Sequence, residues 1–317
     1  MIKKITYILF LFLFLPALAL AETVSDQSDA TKQTLTTFVE KNNTADAAIL
    51  IYHDGKFQPY YFGGAKPATA FQVGAVPDIL TGLILAQQVD AAKVQLAMPL
   101  KNFYPTITDV FGKISLRSLA TNTSGLPANV PESFLNNANQ ENIVDETWQP
   151  SIVGMTLLTK VLENTTHKNL AELYQKQIFS VLGMTATKIT PNGLKTSAPD
   201  MQKFLAAAIG LPGTPESVLY PMRLTQTAFV ELQDRMLGLG WQINVHDVSP
   251  EEQDNSVKEV PEHPKYSAER LYERGSPNTY IAVLPNKKSG IVILLSKPVD
   301  EKMLAQLGRQ IVVGAPK

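Results

Sequence analysis

The sequence has no cysteine in its 317 residues. That excludes a disulfide framework, a thiol nucleophile, a thiolate metal site and a lipid anchored through cysteine. Histidine is scarce as well: His53, His167, His246 and His263 are the only four, and no two stand at the spacing of a helical metal site. A surplus of one charge is also missing. Lys and Arg number 28 against 29 Asp and Glu. Neither nucleic acid nor an anionic membrane surface is therefore expected as a partner. There is no phosphate loop, no dinucleotide fingerprint and no internal repeat.

The apolar run long enough to matter stands at the start. Met1-Ile2-Lys3-Lys4 is basic, residues 5–15 are almost unbroken Ile, Leu, Phe and Tyr, and Pro16 precedes Ala17-Leu18-Ala19-Leu20-Ala21. These are the parts of a secretory signal peptide. Residues 1–21 are expected to be cleaved after Ala21, leaving residues 22–317 in the periplasm or secreted, with no membrane contact thereafter. The apolar core is short for a membrane span of about 20 residues. Without Lys3 and Lys4 the chain carries 26 basic and 29 acidic side chains, a net of −3.

Periodicity then sets out the elements. Residues 30–41 read as a surface helix. Residues 47–52 and 57–62 read as strands joined by His53-Asp54-Gly55-Lys56, since Asp-Gly supplies the positive φ of a tight hairpin. Helices follow over 79–92, 116–120, 152–163, 170–182 and 199–209. Strands return at 237–246, 280–284 and 290–296, and residues 303–313 close the chain as a helix. Residues 247–265 form a charged, Pro-punctuated excursion. Strands, helices, strands and a last helix predict an α/β (α+β) fold in which both chain ends share one antiparallel sheet flanked by helices. The expected single domain spans 22–317, with a sheet lobe at about 22–74 and 190–317. An inserted helical lobe covers about 75–189, and the cleft between the lobes is where a site is expected.

Four stretches fall in a telling order. The first is Phe71-Gln72-Val73-Gly74-Ala75-Val76-Pro77-Asp78, with Lys93-Val94-Gln95-Leu96, Pro99-Leu100 and Tyr104-Pro105 behind it. Ile114 to Arg117 and Ser124-Gly125-Leu126-Pro127 form the second, and Ile178 to Gly183-Met184 and Thr187 the third. Gly193 to Asp200-Met201 and Phe204-Leu205, joined later by Leu237-Gly238-Leu239-Gly240-Trp241, make the fourth. Together they resemble the class C β-lactamase and DD-peptidase/esterase family over about three quarters of the chain after residue 21. The resemblance implies a β-lactamase/transpeptidase-like fold.

That family's acyl transfer, as the resemblance implies it, uses Ser-x-x-Lys at a helix start, a Tyr-x-Asn loop and a Lys-x-Gly strand. The first motif falls without a gap on Ala75 and Asp78. Ala75 has no nucleophilic atom, and Pro77 and Asp78 also suit a first helical turn. Tyr-x-Asn-Ser falls on Trp148-Gln149-Pro150-Ser151. The Trp148 indole only donates, although its ring can wall a ligand, and Pro150 has no amide side chain. Lys-x-Gly falls on Glu273, Arg274 and Gly275, and a one-residue shift would give Arg274 the cationic role. Two lysines become carboxylates, which must then rise in pKa or recruit a cation. Asp78, Trp148, Glu273 and Arg274 are the expected binding residues. Ser124 and Ser151 have no sequence-local base.

The resemblance therefore implies an exported β-lactamase-like protein lacking the serine acylation machinery. Its partner would be a cell-wall fragment, a β-lactam-like ligand or a cell-wall enzyme. An alternative is a hydrolase of amides and esters, β-lactams included, in which Asp78 and Glu273 hold a metal such as Zn²⁺ with a His or water completing it. A third reading is a folded spacer with no cleft ligand.

Overall fold

The computed structural model describes residues 29–129, 147–244 and 256–314. The expected signal peptide, His246 and the first half of the charged excursion lie outside them. Residues 1–43 cluster as one unit and residues 44–317 as another. In the first, residues 29–41 form helix α1.

The second unit opens with β1 (Ala47–His53) and β2 (Lys56–Phe62). Asp54 and Gly55 between them both take left-handed φ, 49° and 79°, so the turn's twist matches that of the strands. β3 (Phe71–Val73) runs into α2 (Val76–Asp90). The helical block continues through α3 (Asp109–Gly112), α4 (Leu116–Ala120), α5 (Ile152–Thr166), α6 (Leu170–Tyr174) and α7 (Ser180–Leu182). Gln175–Phe179, between α6 and α7, is wound as a π-helix. Next come β4 (Lys188–Thr190), β5 (Gly193–Thr196), α8 (Ala198–Ile209) and α9 (Glu216–Thr225). The chain finishes with β6 (Val230–Leu232), β7 (Met236–Leu237), β8 (Gln242–Asn244), β9 (Val257–Glu259), β10 (Leu271–Ser276), β11 (Thr279–Leu284), β12 (Ser289–Leu295) and α10 (Glu301–Val313).

Nine strands form one sheet in the order β2-β1-β12-β11-β10-β8-β7-β6-β9. β1 pairs with β12, Ala47 opposite Leu295 and Tyr52 opposite Gly290, so the two ends of the chain share a sheet as expected. α8 packs on β1, β11 and β12, and α10 packs on β10, β11 and β12. With both faces covered, β11 and β12 are buried at every residue, which is why they read as apolar runs and not as alternation.

Two features depart from the expected lobes. β3, β5 and β4 form a separate three-stranded sheet. These strands are three or four residues long, too short for periodicity to reveal. α9, which contains Pro221 and is not among the helices expected from periodicity, packs against α2. The segment after 190 thus gives a helix to the helical block. Among the described residues no helix is long and apolar enough to cross a membrane.

Candidate functional site

The site is built where α2 begins. Gly74 closes β3, and a Cβ there would sit 2.6 Å from Ser276 Oγ. Glycine lets the corner press against the end of β10. Asn278 Nδ2 donates to Gln72 O at 2.8 Å and ties the β10–β11 turn to β3. Ala75, buried, is the N-cap of α2 and offers no side-chain cap. Its methyl has neither a lone pair nor a transferable proton. On the other side, Gly240 has φ +82°, and a Cβ there would lie 2.6 Å from Asp78 O. The loop after β7 is therefore pressed against the first turn of α2.

Asp78 is the third residue of α2, where a carboxylate meets the positive end of the helix dipole. Pro77 stands second, not first. Asp78 Oδ2 accepts from Arg274 Nη2 on β10. Arg274 is buried, while the Asp78 side chain keeps 22% exposure. The arginine that could have anchored a ligand carboxylate is thus committed to Asp78.

Neighbouring strand residues face opposite ways. Glu273, next to Arg274, points to α10 and is 2% exposed. It accepts from Asn244 Nδ2, from the Tyr280 hydroxyl and from Arg309. Arg309 Nε lies 2.8 Å from Oε2, and its Nη2 lies 2.5 Å from Oε1. Burial alone would lower the Arg309 guanidinium, but the Glu273 carboxylate outweighs it and holds the group above the ordinary arginine range. The Tyr280 phenol is raised by burial, then by the Glu273 charge.

Two further buried phenols share that direction. Burial raises Tyr174, and pushes Tyr272 up to about 12. A raised phenol stabilises the fold fully below its unfolded value, near 10, and that contribution is lost as pH climbs through the folded value. Loss of far-UV circular dichroism between about pH 10 and 12 is expected to coincide with tyrosinate absorbance from these residues. Ionisation of all tyrosines near pH 10 with the fold intact would contradict the burial.

Most of the residues matched to the three motifs, Ala75 and Arg274 excepted, line one of two cavities of about 370 Å³ each. One lies between the starts of α2 and α5, with Asp78, Asn122, Pro150, Met155 and Tyr174 in its walls. Trp148, Gln242, Glu273, Gly275, Glu301 and Arg309 line the other. The Arg235 guanidinium sits 4.8 Å from the centre of the Trp148 ring. Ser151 is the N-cap of α5: its Oγ accepts from Gly154 N at 3.2 Å and donates to Pro127 O at 2.7 Å. Ser124 Oγ accepts from Leu126 N at 3.4 Å. Among the described residues neither hydroxyl bonds to a base.

Asp78 and Glu273, the expected metal ligands, each face an arginine and line different cavities. Among the described residues no group of three or more His, Cys, Asp or Glu is placed to hold a metal ion. His53 and His263 are exposed, and His167 caps α5 in the left-handed region. Sequence reasoning missed Arg309, Asn244, Tyr280 and Asn122. Gly308 was a signal for the first: glycine inside the closing helix marks a close approach, and a Cβ there would overlap the Tyr280 ring.

A sequence model of the β-lactamase family matches residues 31–193. A β-lactamase of Yersinia enterocolitica is 23% identical over 346 aligned residues, covering 88% of this chain and 89% of that protein. A β-lactamase of Escherichia coli K12 is also 23% identical, covering 85% and 89%. Among solved structures, a class C β-lactamase superposes with a TM-score of 0.80 at 19% identity, over 92% of this chain and 97% of that one. A D-alanine carboxypeptidase of Burkholderia cenocepacia gives a TM-score of 0.81 at 19% identity, over 92% and 99%. By its sheet, its inserted helical block and these matches, the chain belongs to the β-lactamase family.

Proposed function

We propose that this protein is an exported member of the family that binds ligands in its cleft without forming an acyl-enzyme. One observation carries the proposal: α2 opens on the methyl of Ala75, and one turn on it presents Asp78 bonded to Arg274. Serine acylation needs a hydroxyl and a base on successive turns of that helix. Here neither is supplied. Trp148 can donate but not accept a proton, and Glu273 brings negative charge where a ligand carboxylate would be anchored. The replacements satisfy one another, Asp78 with Arg274 and Glu273 with Arg309. Two formed cavities remain beside them, which supports binding over a spacer role. The names of the relatives favour cell-wall fragments, β-lactam-like molecules or a cell-wall enzyme as partners. Export rests on the basic start, apolar core and small-residue end of residues 1–21.

The test combines a labelled-penicillin gel, intact mass, and a nitrocefin assay with and without chelator. No adduct is expected, and no hydrolysis above buffer under either condition. An adduct at any residue overturns the proposal. Turnover that EDTA abolishes and Zn²⁺ restores would replace it with a metal-dependent hydrolase.

A further inference from the structure

We propose that the cavity between the starts of α2 and α5 takes an uncharged ligand that joins a carboxamide to a compact apolar group, with Asp78 and Asn122 holding the amide. This deepens the non-acylating reading and rests on it. The cavity, about 370 Å³, falls within the usual size of small-molecule sites. Its walls are mostly apolar, with Pro77, Pro150, Met155 and Leu170 among them, and Ile152 stands 67% exposed among the lining residues.

Most polar groups in these walls are already engaged. The Tyr174 hydroxyl lies 2.6 Å from Thr81 Oγ1 and 3.1 Å from Pro77 O. Thr81 Oγ1 donates to Pro77 O at 2.9 Å, and Ser151 Oγ is used at both ends. Two groups stand out. Asn122 is 3% exposed, and its Oδ1 accepts from Ser151 N at 3.3 Å, which fixes the amide orientation. Among the described residues its Nδ2 donates to none. Asp78 Oδ2 takes Arg274, while among the described residues Oδ1 takes no donor. Asn122 also holds a left-handed φ of 58°, a conformation that asparagine tolerates and that recurs at functional sites.

One free donor and one free acceptor match a carboxamide, whose C=O faces Asn122 and whose N–H faces Asp78. Charge selects further. Arg274 offsets Asp78, so the cavity has no net charge to recruit an ion. A ligand carboxylate would meet the Asp78 oxygen as a like charge.

The probe is N-acetyl-L-leucine amide, titrated by calorimetry into the full mature chain beside the free acid N-acetyl-L-leucine. Saturable binding is expected for the amide, at least about tenfold tighter than for the acid near neutral pH. Asn122→Asp keeps an acceptor for Ser151 N and removes the donor; it should weaken amide binding by about tenfold. Met155→Trp fills the cavity and should abolish it, with circular dichroism confirming that each variant is folded. Equal binding of acid and amide, binding unchanged in both variants, or no saturable binding up to the solubility of the amide would overturn the assignment. Failure of the non-acylating reading is separate and appears as a penicillin adduct by mass, whatever the amide does.

Discussion

Arg309→Met should destabilise the protein by about 3–5 kcal/mol, the range for removing one partner of a buried ion pair. The loss comes less from the bond than from what is left behind. Glu273, 2% exposed, would be left with Asn244 and Tyr280 as its donors. Neither is a cation, so neither offsets the carboxylate as the guanidinium does. At roughly 2–4 °C per kcal/mol for a chain of this size, the melting temperature should drop by roughly 6–20 °C. Adding Glu273→Gln removes the orphaned charge while keeping an amide oxygen for Tyr280, so the double variant should recover much of the loss. Thermal melts of the four proteins in this cycle give the coupling directly. A single-variant cost below about 1 kcal/mol would mean that water already reaches Glu273.

Which parts of this network were legible in the sequence follows from separation along the chain. The pairing of chain ends was readable because Asp54-Gly55 fixes one hairpin and the runs in β1 and β12 are long. The small sheet was not, because strands of three or four residues are too short for alternation to stand out from chance. α9 was hidden by Pro221, which reads as a breaker although the helix continues past it. In the site, Ala75 and Asp78 were visible because the first motif is contiguous. Of the two electrostatic outcomes expected, a raised pKa or a recruited cation, each carboxylate meets a cation. Which cation was not foreseen. Arg274 lies 196 positions from Asp78, and Arg309 lies 36 from Glu273. No local spacing links such pairs. Strand alternation decides them, since it turns Arg274 toward α2 and Glu273 toward α10. Nothing in the local sequence marks Asn122, and the role of its amide emerges only when Ser151 folds back onto it.

Glu273→Lys, which reinstates the residue type expected at the start of the third motif, should abolish soluble folded protein. All three partners of Glu273 are donors, and an ammonium accepts from none of them. It would also stand against Arg309, and two like charges 4 Å apart cost about 4 kcal/mol even at an effective dielectric constant of 20. Unsatisfied buried donors at Asn244 and Tyr280 add about 1–3 kcal/mol each. The sum approaches or exceeds the 5–15 kcal/mol that holds an ordinary domain together. A compensating Arg309→Glu restores opposite charges with the order reversed, and should return part of the folded yield. Soluble expression and circular dichroism of both variants decide the matter. A well-folded Glu273→Lys single variant would show that α10 yields easily, and the network at Glu273 would then not constrain the site. Recovery only in the double variant would mean that position 273 and Arg309 changed charge as a unit, so that a lysine cannot return to this strand one substitution at a time.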